Sequence, residues 1–326
     1  MILRALIFAN LTFTSLVAFG ANAKEPRKQF DLKKVKHSGI ALESSLYGIY
    51  REGPTVFSFP GESSFYIRST YNPDAKEVDQ GFGSLHNPYE GSERIAFEPK
   101  DKPRRIRSVL HLSAHWAFLD VMSRQLLVWD EVLKSWQLPA DLILDIPRPA
   151  SDGRGEPTRA ETASLRARLT KTLIKEKQNP DLIAGITTIP KKWKDRDGSQ
   201  YVMWLRAGNN PLFTLKCDQD NFKICQVVRS CFVEGMSGSD IEAINSISLD
   251  PKSQNLLLLN RSKGKILELN GNSCHKLRAR DAYEIPKDLA NAQAIFVDDT
   301  NNFWLALRES EGASSASIFT WDAKSW

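Results

Sequence analysis

The sequence has little of what marks a membrane-spanning or nucleic-acid-binding protein. After residue 20 no run of 18 uninterrupted apolar residues occurs, which predicts that the mature chain has no membrane-spanning helix. Positive charge exceeds negative charge by only five, with 44 Lys and Arg against 39 Asp and Glu. The basic doublets at residues 104–105 and 191–192 are isolated and form no stripe. The sequence therefore predicts no nucleic-acid partner.

Familiar catalytic and cofactor motifs are also missing. The segment at residues 81–83 (GFG) has no strand before it and no helix after it, which excludes a dinucleotide fingerprint. Residues 235–238 (GMSG) lack the spacing of a nucleophile elbow. His111 and His115 lie in a strand pattern, where four residues extend roughly 13 Å. We therefore assign both histidines to structure and not to a shared metal ion.

The first 23 residues have the features of a cleavable signal peptide. Arg4 supplies a positive charge, residues 5–20 form an apolar stretch, and residues 21–23 (ANA) match the small-x-small pattern of a cleavage site. An uncleaved membrane anchor is the alternative, but polar residues interrupt the stretch, which is shorter than the roughly 20 apolar residues of a spanning helix. We expect cleavage after Ala23 and export to the periplasm or the extracellular space.

A strand pattern recurs five times in the rest of the chain. Its copies are residues 56–59 (VFSF), 126–129 (LLVW), 212–215 (LFTL), 266–269 (ILEL) and 318–321 (IFTW). Two further apolar strands precede each copy. The inner strands are residues 40–42, 109–112, 186–189, 247–249 and 295–297, and the second strands are residues 46–50, 116–119, 201–205, 256–259 and 303–307. Apolar strands separated by Gly, Asp, Asn and Pro predict an all-β fold, and runs without alternation favour sheets covered on both faces. The sequence therefore predicts a five-bladed β-propeller. A sixth, degenerate blade near residues 94–97 and a β-sandwich are the alternatives.

Residues 24–326 are expected to form one propeller domain whose chain ends meet. The fifth copy lacks an outer strand, and the segment at residues 28–32 is predicted to supply it, covering an exposed strand edge. Extra residues at 72–105 and 140–183 fall on connections that reach one face of a propeller. The second insertion contains a predicted helix near residues 159–177, with a capping box and leucines at every fourth position.

Alignment of the predicted inner strands places small or polar residues at one mouth of the channel. They are Ser38, Ser108, Gly185, Asn245 and Gln293, with Asp240 and Glu242 beside them. Carboxylate and amide oxygens suit calcium, so Glu242 and Asn245 are candidate ligands of a divalent cation. A water-filled channel without a ligand is the alternative.

Four cysteines in an exported chain permit two disulfide bonds. Cys217 and Cys225 flank a predicted hairpin and are expected to be bonded. The pairing of Cys231 and Cys274 stays open at this point.

About the last 90 residues resemble the blades of NHL, gluconolactonase-like and esterase-like phytase propellers. The resemblance is carried by residues 239–244 (SDIEAI), 248–251 (SLDP), 256–260 (LLLLN), 265–269 (KILEL), 292–299 (AQAIFVDD) and 303–306 (FWLA). Where members of these families are enzymes, they use carboxylates and a divalent metal at the channel mouth. Asp240, Glu242 and Asn245 match that set in kind.

These observations leave competing functions. The first is an exported propeller that binds a small molecule or an envelope or secreted partner on its insertion-covered face. The alternative is a metal-dependent hydrolase of a lactone or phosphoester, with Glu242 as a metal ligand. A repeat protein without a small-molecule site is a third, because fold does not determine function.

Overall fold

The computed structural model describes most of the chain after residue 45. The described residues are 28–29, 36–41, 46–72, 78–79, 84–85, 89–100, 102–112, 114–143, 181–194, 198–206, 210–218, 222, 224–285, 287–300, 302–307 and 315–322. The predicted signal peptide, residues 30–32 and the predicted helix at 159–177 lie outside them.

The described chain is almost entirely β-structure. Its N-terminal strands are β1 (Lys28–Gln29), β2 (Lys36–Ala41), β3 (Leu46–Glu52), β4 (Thr55–Pro60), β5 (Phe65–Tyr71), β6 (Val78–Asp79), β7 (Ser84–Leu85), β8 (Tyr89–Ala96), β9 (Ile106–Leu112), β10 (His115–Asp120), β11 (Gln125–Asp130), β12 (Ser135–Trp136) and β13 (Ala140–Ile143). The later strands are β14 (Ile183–Thr188), β15 (Tyr201–Leu205), β16 (Leu212–Cys217), β17 (Ile224–Cys231), β18 (Val233–Glu234), β19 (Ile244–Leu249), β20 (Leu256–Asn260), β21 (Lys265–Asn270), β22 (Leu277–Glu284), β23 (Ala292–Val297), β24 (Asn302–Leu307) and β25 (Ser315–Asp322).

Helical structure is minimal in the described residues. The helix α1 (Gly238–Glu242) begins at Ser237, whose side chain accepts a hydrogen bond from the Asp240 backbone in a capping box. A single 3-10 turn covers Lys287–Leu289. No helix among the described residues is long and apolar enough to cross a membrane.

The strands form four large sheets and one small one. The large sheets have the orders β3-β4-β5-β8, then β14-β15-β16-β17-β13-β11-β10-β9, then β1-β22-β21-β20-β19, and β2-β25-β24-β23. The short strands β12 and β18 pair with β11 and β22, and β6 pairs with β7. Burial explains the apolar runs of the sequence. All five residues of β15 are buried, for example, because the sheet is covered on both faces.

The central strands pack around an axis. β9, β14, β19, β23 and β3 contact one another in sequence, and β3 returns to β9. Serine side chains link neighbouring central strands: Ser108 Oγ accepts from the Ile186 amide at 3.0 Å, and Ser246 Oγ accepts from the Ile295 amide at 3.2 Å. At Gly185 a Cβ would lie 2.9 Å from Ser108 Oγ, so a larger residue would push these strands apart. The arrangement is propeller-like.

The prediction of five blades is wrong as a count of sheets, because the propeller-like arrangement has four. β13 pairs in parallel with β17 and antiparallel with β11, and it joins two antiparallel meanders into the nine-stranded sheet. Sheet edges expose N–H and C=O groups that a further strand can pair, and β13 uses both edges. Sequence patterns did not predict this strand, because four residues are too short a run to show a period.

The first predicted blade is offset by one strand. β3, predicted to be second in its blade, is a central strand, whereas residues 40–42, predicted to be central, overlap β2. β2 is the outer strand of the last sheet and pairs antiparallel with β25, from Lys36 opposite Thr320 to Ala41 opposite Ser315. The N-terminal part of the chain thus meets the C-terminal part in one sheet, through β2. The predicted closing segment does not supply this strand in its described part, because β1 (Lys28–Gln29) pairs in parallel with β22 in another sheet. Residues 94–96 lie in β8, the outer strand of the first sheet, and not in a sixth blade.

Two disulfide bonds cross-link the described strands. The predicted Cys217–Cys225 bond joins the hairpin of β16 and β17 and is confirmed. Cys231 and Cys274 are also bonded, and this bond links the end of β17 to the turn before β22, in a neighbouring sheet. Disulfide bonds are typical of proteins in an oxidising, exported environment.

Candidate functional site

A cavity of about 400 Å³ opens where the central strands begin. We call it the arginine mouth, and its lining residues are Tyr47, Arg107, Asp181, Arg206, Ala243, Asn245, Arg261, Ser262, Ala290 and Gln293. Asp181 belongs to the predicted insertion 140–183, and Arg105, which contacts it, belongs to the insertion 72–105. The cavity therefore lies on the face at which the connections from outer to central strands arrive.

Arg107 is the most deeply buried charge of the mouth. It lies on β9 with 3% of its side chain exposed, and its Nη2 donates to Asp181 Oδ1 at 2.7 Å. Its Nη1 donates to the carbonyl oxygen of Asn245 at 3.1 Å. Its Nε is buried and has no hydrogen-bond partner among the described residues. Burial lowers the pKa of Arg107, and the Asp181 carboxylate only partly offsets that effect.

Arg105 shares the same carboxylate. Its Nη1 donates to Asp181 Oδ1 at 2.9 Å, and its Nη2 pairs with Glu62. Burial acts to lower the pKa of Arg105, but the two carboxylates outweigh it and the pKa is raised. The guanidinium groups of Arg105 and Arg107 lie 5.0 and 5.3 Å from the ring centroid of Tyr47, within the range of cation–π attraction. Tyr47 therefore holds two like charges at one wall of the mouth.

Arg206 and Arg261 form the other side. Arg206 Nε donates to the carbonyl oxygen of Glu242 at 2.6 Å, which points its guanidinium along the mouth. Burial lowers the pKa of Arg206, and the nearby Arg261 charge contributes in the same direction. Arg261 is half-buried and forms no ion pair with any residue that the structure describes. Three arginines thus face the cavity, and Asp181 is the one carboxylate among the described lining residues.

The pKa of Asp181 lies below its ordinary value. Burial acts to raise it, but the guanidinium groups of Arg107 and Arg105 outweigh burial by their charge and hydrogen bonds. A carboxyl group with a lowered pKa in the folded state stabilises the fold above the ordinary carboxyl pKa and loses that contribution as the pH falls.

We therefore expect the Asp181→Asn variant to be less stable than wild type at pH 7, with the difference shrinking below about pH 4. Urea unfolding at several pH values between 7 and 3 measures it. Asp281→Asn is the matched control for lost charge, because Asp281 is 36% exposed against 35% for Asp181 and pairs with Lys265 on the outer strands. A difference that stays constant from pH 7 to pH 3 would contradict the coupling of Asp181 to the arginines.

The structure brings together two of the predicted site residues. Asn245 and Gln293 both line the mouth, and Asn245 Nδ2 donates to Gln293 Oε1 at 3.5 Å. Ser108 lies deeper, in an axial cavity of about 210 Å³, with its hydroxyl bound to the Ile186 amide. Ser38 lies on β2, the outer strand of the last sheet, and is not placed among them. The offset of the first blade explains this difference.

The two predicted acidic residues do not converge on Asn245. The Asp240 carboxylate binds Lys263 at 2.5 Å and Ser237 at 2.7 Å, so it caps α1 and pairs with a lysine. Glu242 has an exposed side chain, and its carbonyl oxygen is the atom that contacts Arg206. Among the described residues no group of three or more His, Cys, Asp and Glu side chains is placed to hold a metal ion. The calcium site at Glu242 and Asn245 therefore stays a prediction.

The two histidines have separate partners. His111 Nδ1 lies 2.8 Å from Glu52 Oε1, and the His111 ring stacks on Trp116 with centroids 4.1 Å apart. His115 Nε2 lies 3.3 Å from Asp130 Oδ2.

Sequence reasoning missed the arginines of the mouth. Arg107, Arg206 and Arg261 come from three separate parts of the chain, so no local pattern contains them all. One signal was present: Arg105 and Arg107 are two residues apart at the start of a strand, where alternate side chains point to the same face. Two arginines on one face at the start of a central strand could have indicated a positively charged cavity.

Comparisons with known proteins concern the fold. No family model and no curated protein sequence matches this chain. Three solved structures resemble it at low identity. Glutaminyl cyclase of Myxococcus xanthus is 10% identical with a TM-score of 0.46, covering 88% of this chain and 94% of that one. Regucalcin of Agrobacterium tumefaciens, a calcium-binding protein, is 11% identical with a TM-score of 0.42, covering 88% and 74%.

The third structure is the β-propeller domain of Cps50 (Swd1) of Myceliophteria thermophila. It is 7% identical with a TM-score of 0.39, covering 86% of this chain and 71% of that one. Since all three TM-scores are below 0.5, these likenesses carry no argument about function. A functional proposal has to rest on the geometry of the arginine mouth.

Proposed function

We propose that this protein is an exported binding propeller whose arginine mouth takes up a small anionic molecule that bears a carboxylate, phosphate or sulfonate group. The observation that carries the proposal is the excess of guanidinium groups in the cavity. Arg107 is buried with an Nε that lacks a partner in the described residues, and Arg261 faces the cavity without an ion pair there. The two disulfide bonds support export.

Buried guanidinium groups favour an anion for electrostatic reasons. Charges interact more strongly where water is excluded, and the lowered pKa values of Arg107 and Arg206 record the cost of holding two cations in such a place. A bound anion would offset that cost. The planar guanidinium group also matches the oxygens of carboxylates and phosphates in paired hydrogen bonds. A volume of about 400 Å³ suits a small molecule.

Arg261→Ala is expected to weaken anion binding by about tenfold or more, because a charge-assisted hydrogen bond contributes about 1.5–3 kcal/mol. Isothermal titration with inorganic phosphate, sulfate and citrate as probes measures the affinity. The probes should also raise the melting temperature, and by less in the variant than in wild type, because a ligand that binds only the folded state stabilises it. Folding should be preserved in this variant, since Arg261 is half-buried and not part of an ion pair with described residues.

Arg278→Ala is the matched control. Arg278 is an exposed arginine on β22, so the variant removes the same charge at a distance from the mouth. The proposal predicts that it binds the probes like wild type. Equal weakening in both variants, or no binding of any of the three anions to wild type, would overturn the proposal.

The metal-dependent hydrolase is separated by the same assay with calcium, magnesium, manganese and zinc. A rise in melting temperature with one of these ions that disappears in Glu242→Ala would favour the metal site. The anion proposal predicts that Glu242→Ala binds phosphate, sulfate and citrate as wild type does, because the Glu242 carbonyl oxygen, which the variant retains, holds Arg206.

A further inference from the structure

A third cavity, of about 670 Å³, is larger than the other two and lies between two neighbouring sheets. One wall comes from β4, β5 and β8 of the first sheet, and the other from β10 and β11 of the nine-stranded sheet. We call it the aromatic groove, and its apolar lining consists of Phe57, Tyr66, Ile95, Trp116, Phe118 and Trp129. The anion proposal does not use this cavity.

The apolar lining has a buried floor and an accessible wall. Phe57, Tyr66 and Phe118 are 7% exposed or less and form the floor. Ile95, Trp116 and Trp129 are half-buried and present apolar surface to the cavity. The Trp129 indole is held in place, because its Nε1 donates to Glu131 Oε2 at 2.8 Å and its ring meets Trp136 edge-on at 5.3 Å. A ligand therefore meets pre-oriented aromatic surface.

The rim is polar, and its charges are already paired. Arg68 Nε donates to Glu93 Oε1 at 2.6 Å across β5 and β8, and Lys134 pairs with Glu131. The Glu131 pKa is lowered, first by the Lys134 hydrogen bond, so this carboxylate stays ionised. The third lining carboxylate, Glu52, lies 2.8 Å from His111 Nδ1. The lining thus holds three carboxylates and two cations, so the groove, unlike the arginine mouth, offers no excess positive charge to an anion.

From this combination we infer that the aromatic groove binds a neutral saccharide. A sugar ring has an apolar face of C–H groups that packs on an indole and an edge of hydroxyl groups. Each hydroxyl both donates and accepts, so it can bridge a carboxylate and a guanidinium that already face each other. A purely apolar ligand would form no hydrogen bonds with the polar groups of the rim. An ion would have to displace an existing partner of one of these groups. The cavity volume lies within the range of ligand sites.

The test is a titration of the full chain with maltose, cellobiose, N,N′-diacetylchitobiose and lactose. Isothermal titration and tryptophan fluorescence provide the two readouts, since Trp116 and Trp129 line the groove. With the sugar at up to about 10 mM, binding with a dissociation constant in the millimolar range is detectable. At least one disaccharide is expected to bind saturably and to change the fluorescence. Trp129→Ala should abolish binding, and Arg68→Gln should weaken it by about tenfold.

Arg280→Gln is the matched control. Like Arg68, Arg280 is an exposed arginine, 51% against 49%, that pairs with a glutamate across two outer strands. It should bind saccharide like wild type, and so should Arg261→Ala, because the groove is separate from the mouth. Arg68→Gln also covers the case in which Trp129→Ala does not fold, since an exposed ion pair contributes little to stability. Absence of binding by all four sugars, or equal binding by wild type and Arg68→Gln, overturns the inference.

Discussion

Replacing Asp298 with alanine is expected to lower the free energy of unfolding by about 3–5 kcal/mol, the cost of removing one partner of a buried ion pair. Asp298 follows the central strand β23 and is 1% exposed. Its Oδ2 accepts from Arg51 Nη1 at 2.7 Å and from Trp304 Nε1 at 2.9 Å. Without the carboxylate, a 13%-exposed guanidinium and a buried indole N–H lose their partner together.

The position of this carboxylate enlarges the effect. Arg51 lies on β3 of the first sheet, whereas Asp298 and Trp304 belong to the last sheet, so the ion pair joins the sheets at which the ring of central strands closes. The Arg51 guanidinium also lies 5.1 Å from the Trp304 ring centroid. Loss of Asp298 therefore weakens the contact between sheets as well as the turn that follows β23.

Urea unfolding measures this loss, and Asp250→Ala is the control. Asp250 follows β19 as Asp298 follows β23, but it accepts hydrogen bonds from Lys252 and Ser253 within its own turn. Its replacement should cost about 1 kcal/mol, as expected for local hydrogen bonds. Similar losses of unfolding free energy in the two variants would show that the Arg51–Asp298 ion pair adds no stability beyond that of local hydrogen bonds.

Removing the Cys231–Cys274 bond by replacing both cysteines with alanine is expected to cost about 4 kcal/mol, against about 2.5 kcal/mol for Cys217–Cys225. The ranking follows from loop length. The first bond closes a loop with a sequence separation of 43 residues and the second closes one of 8, and a longer loop restricts the unfolded chain more.

Each double variant is its partner's control, because both pairs are buried and each change removes two sulfur atoms. Urea unfolding of the two variants and wild type under oxidising conditions provides the comparison. Should the short-loop variant lose as much stability as the long-loop variant, restriction of the unfolded chain would not be the dominant effect.

The two cavities differ in the kind of ligand that they favour. In the arginine mouth, three guanidinium groups face one carboxylate, Asp181, among the described lining residues, and Arg261 forms no ion pair with them. In the aromatic groove, Arg68 and Lys134 are each matched by a glutamate. Variants of one site should therefore leave the other unaffected, and the experiments above can be interpreted separately.

Local sequence patterns were enough to predict the class of fold. Apolar runs rich in Leu, Val, Phe and Trp correctly predicted many strands, among them β10, β11, β15, β16, β20 and β24. Each of these runs is long enough to be recognised in the sequence by itself. The Cys217–Cys225 bond was predictable for the same reason, since both cysteines flank one hairpin. Asn245 and Gln293 both line the mouth because each lies near the start of a central strand, on β19 and β23.

Pairing between distant segments could not be derived in this way. The apolar pattern of a strand does not say which sheet it joins. β2 was therefore assigned to the first blade instead of the last sheet, β3 was assigned the second place instead of the central one, and Ser38 was placed at the mouth. The strand β13, the Cys231–Cys274 bond and the convergence of Arg107, Arg206 and Arg261 depend on contacts between residues far apart in the chain. Short-range periodicity thus accounts for the strands of this protein, while long-range packing, which brings arginines from three separate parts of the chain to one cavity, accounts for its candidate site.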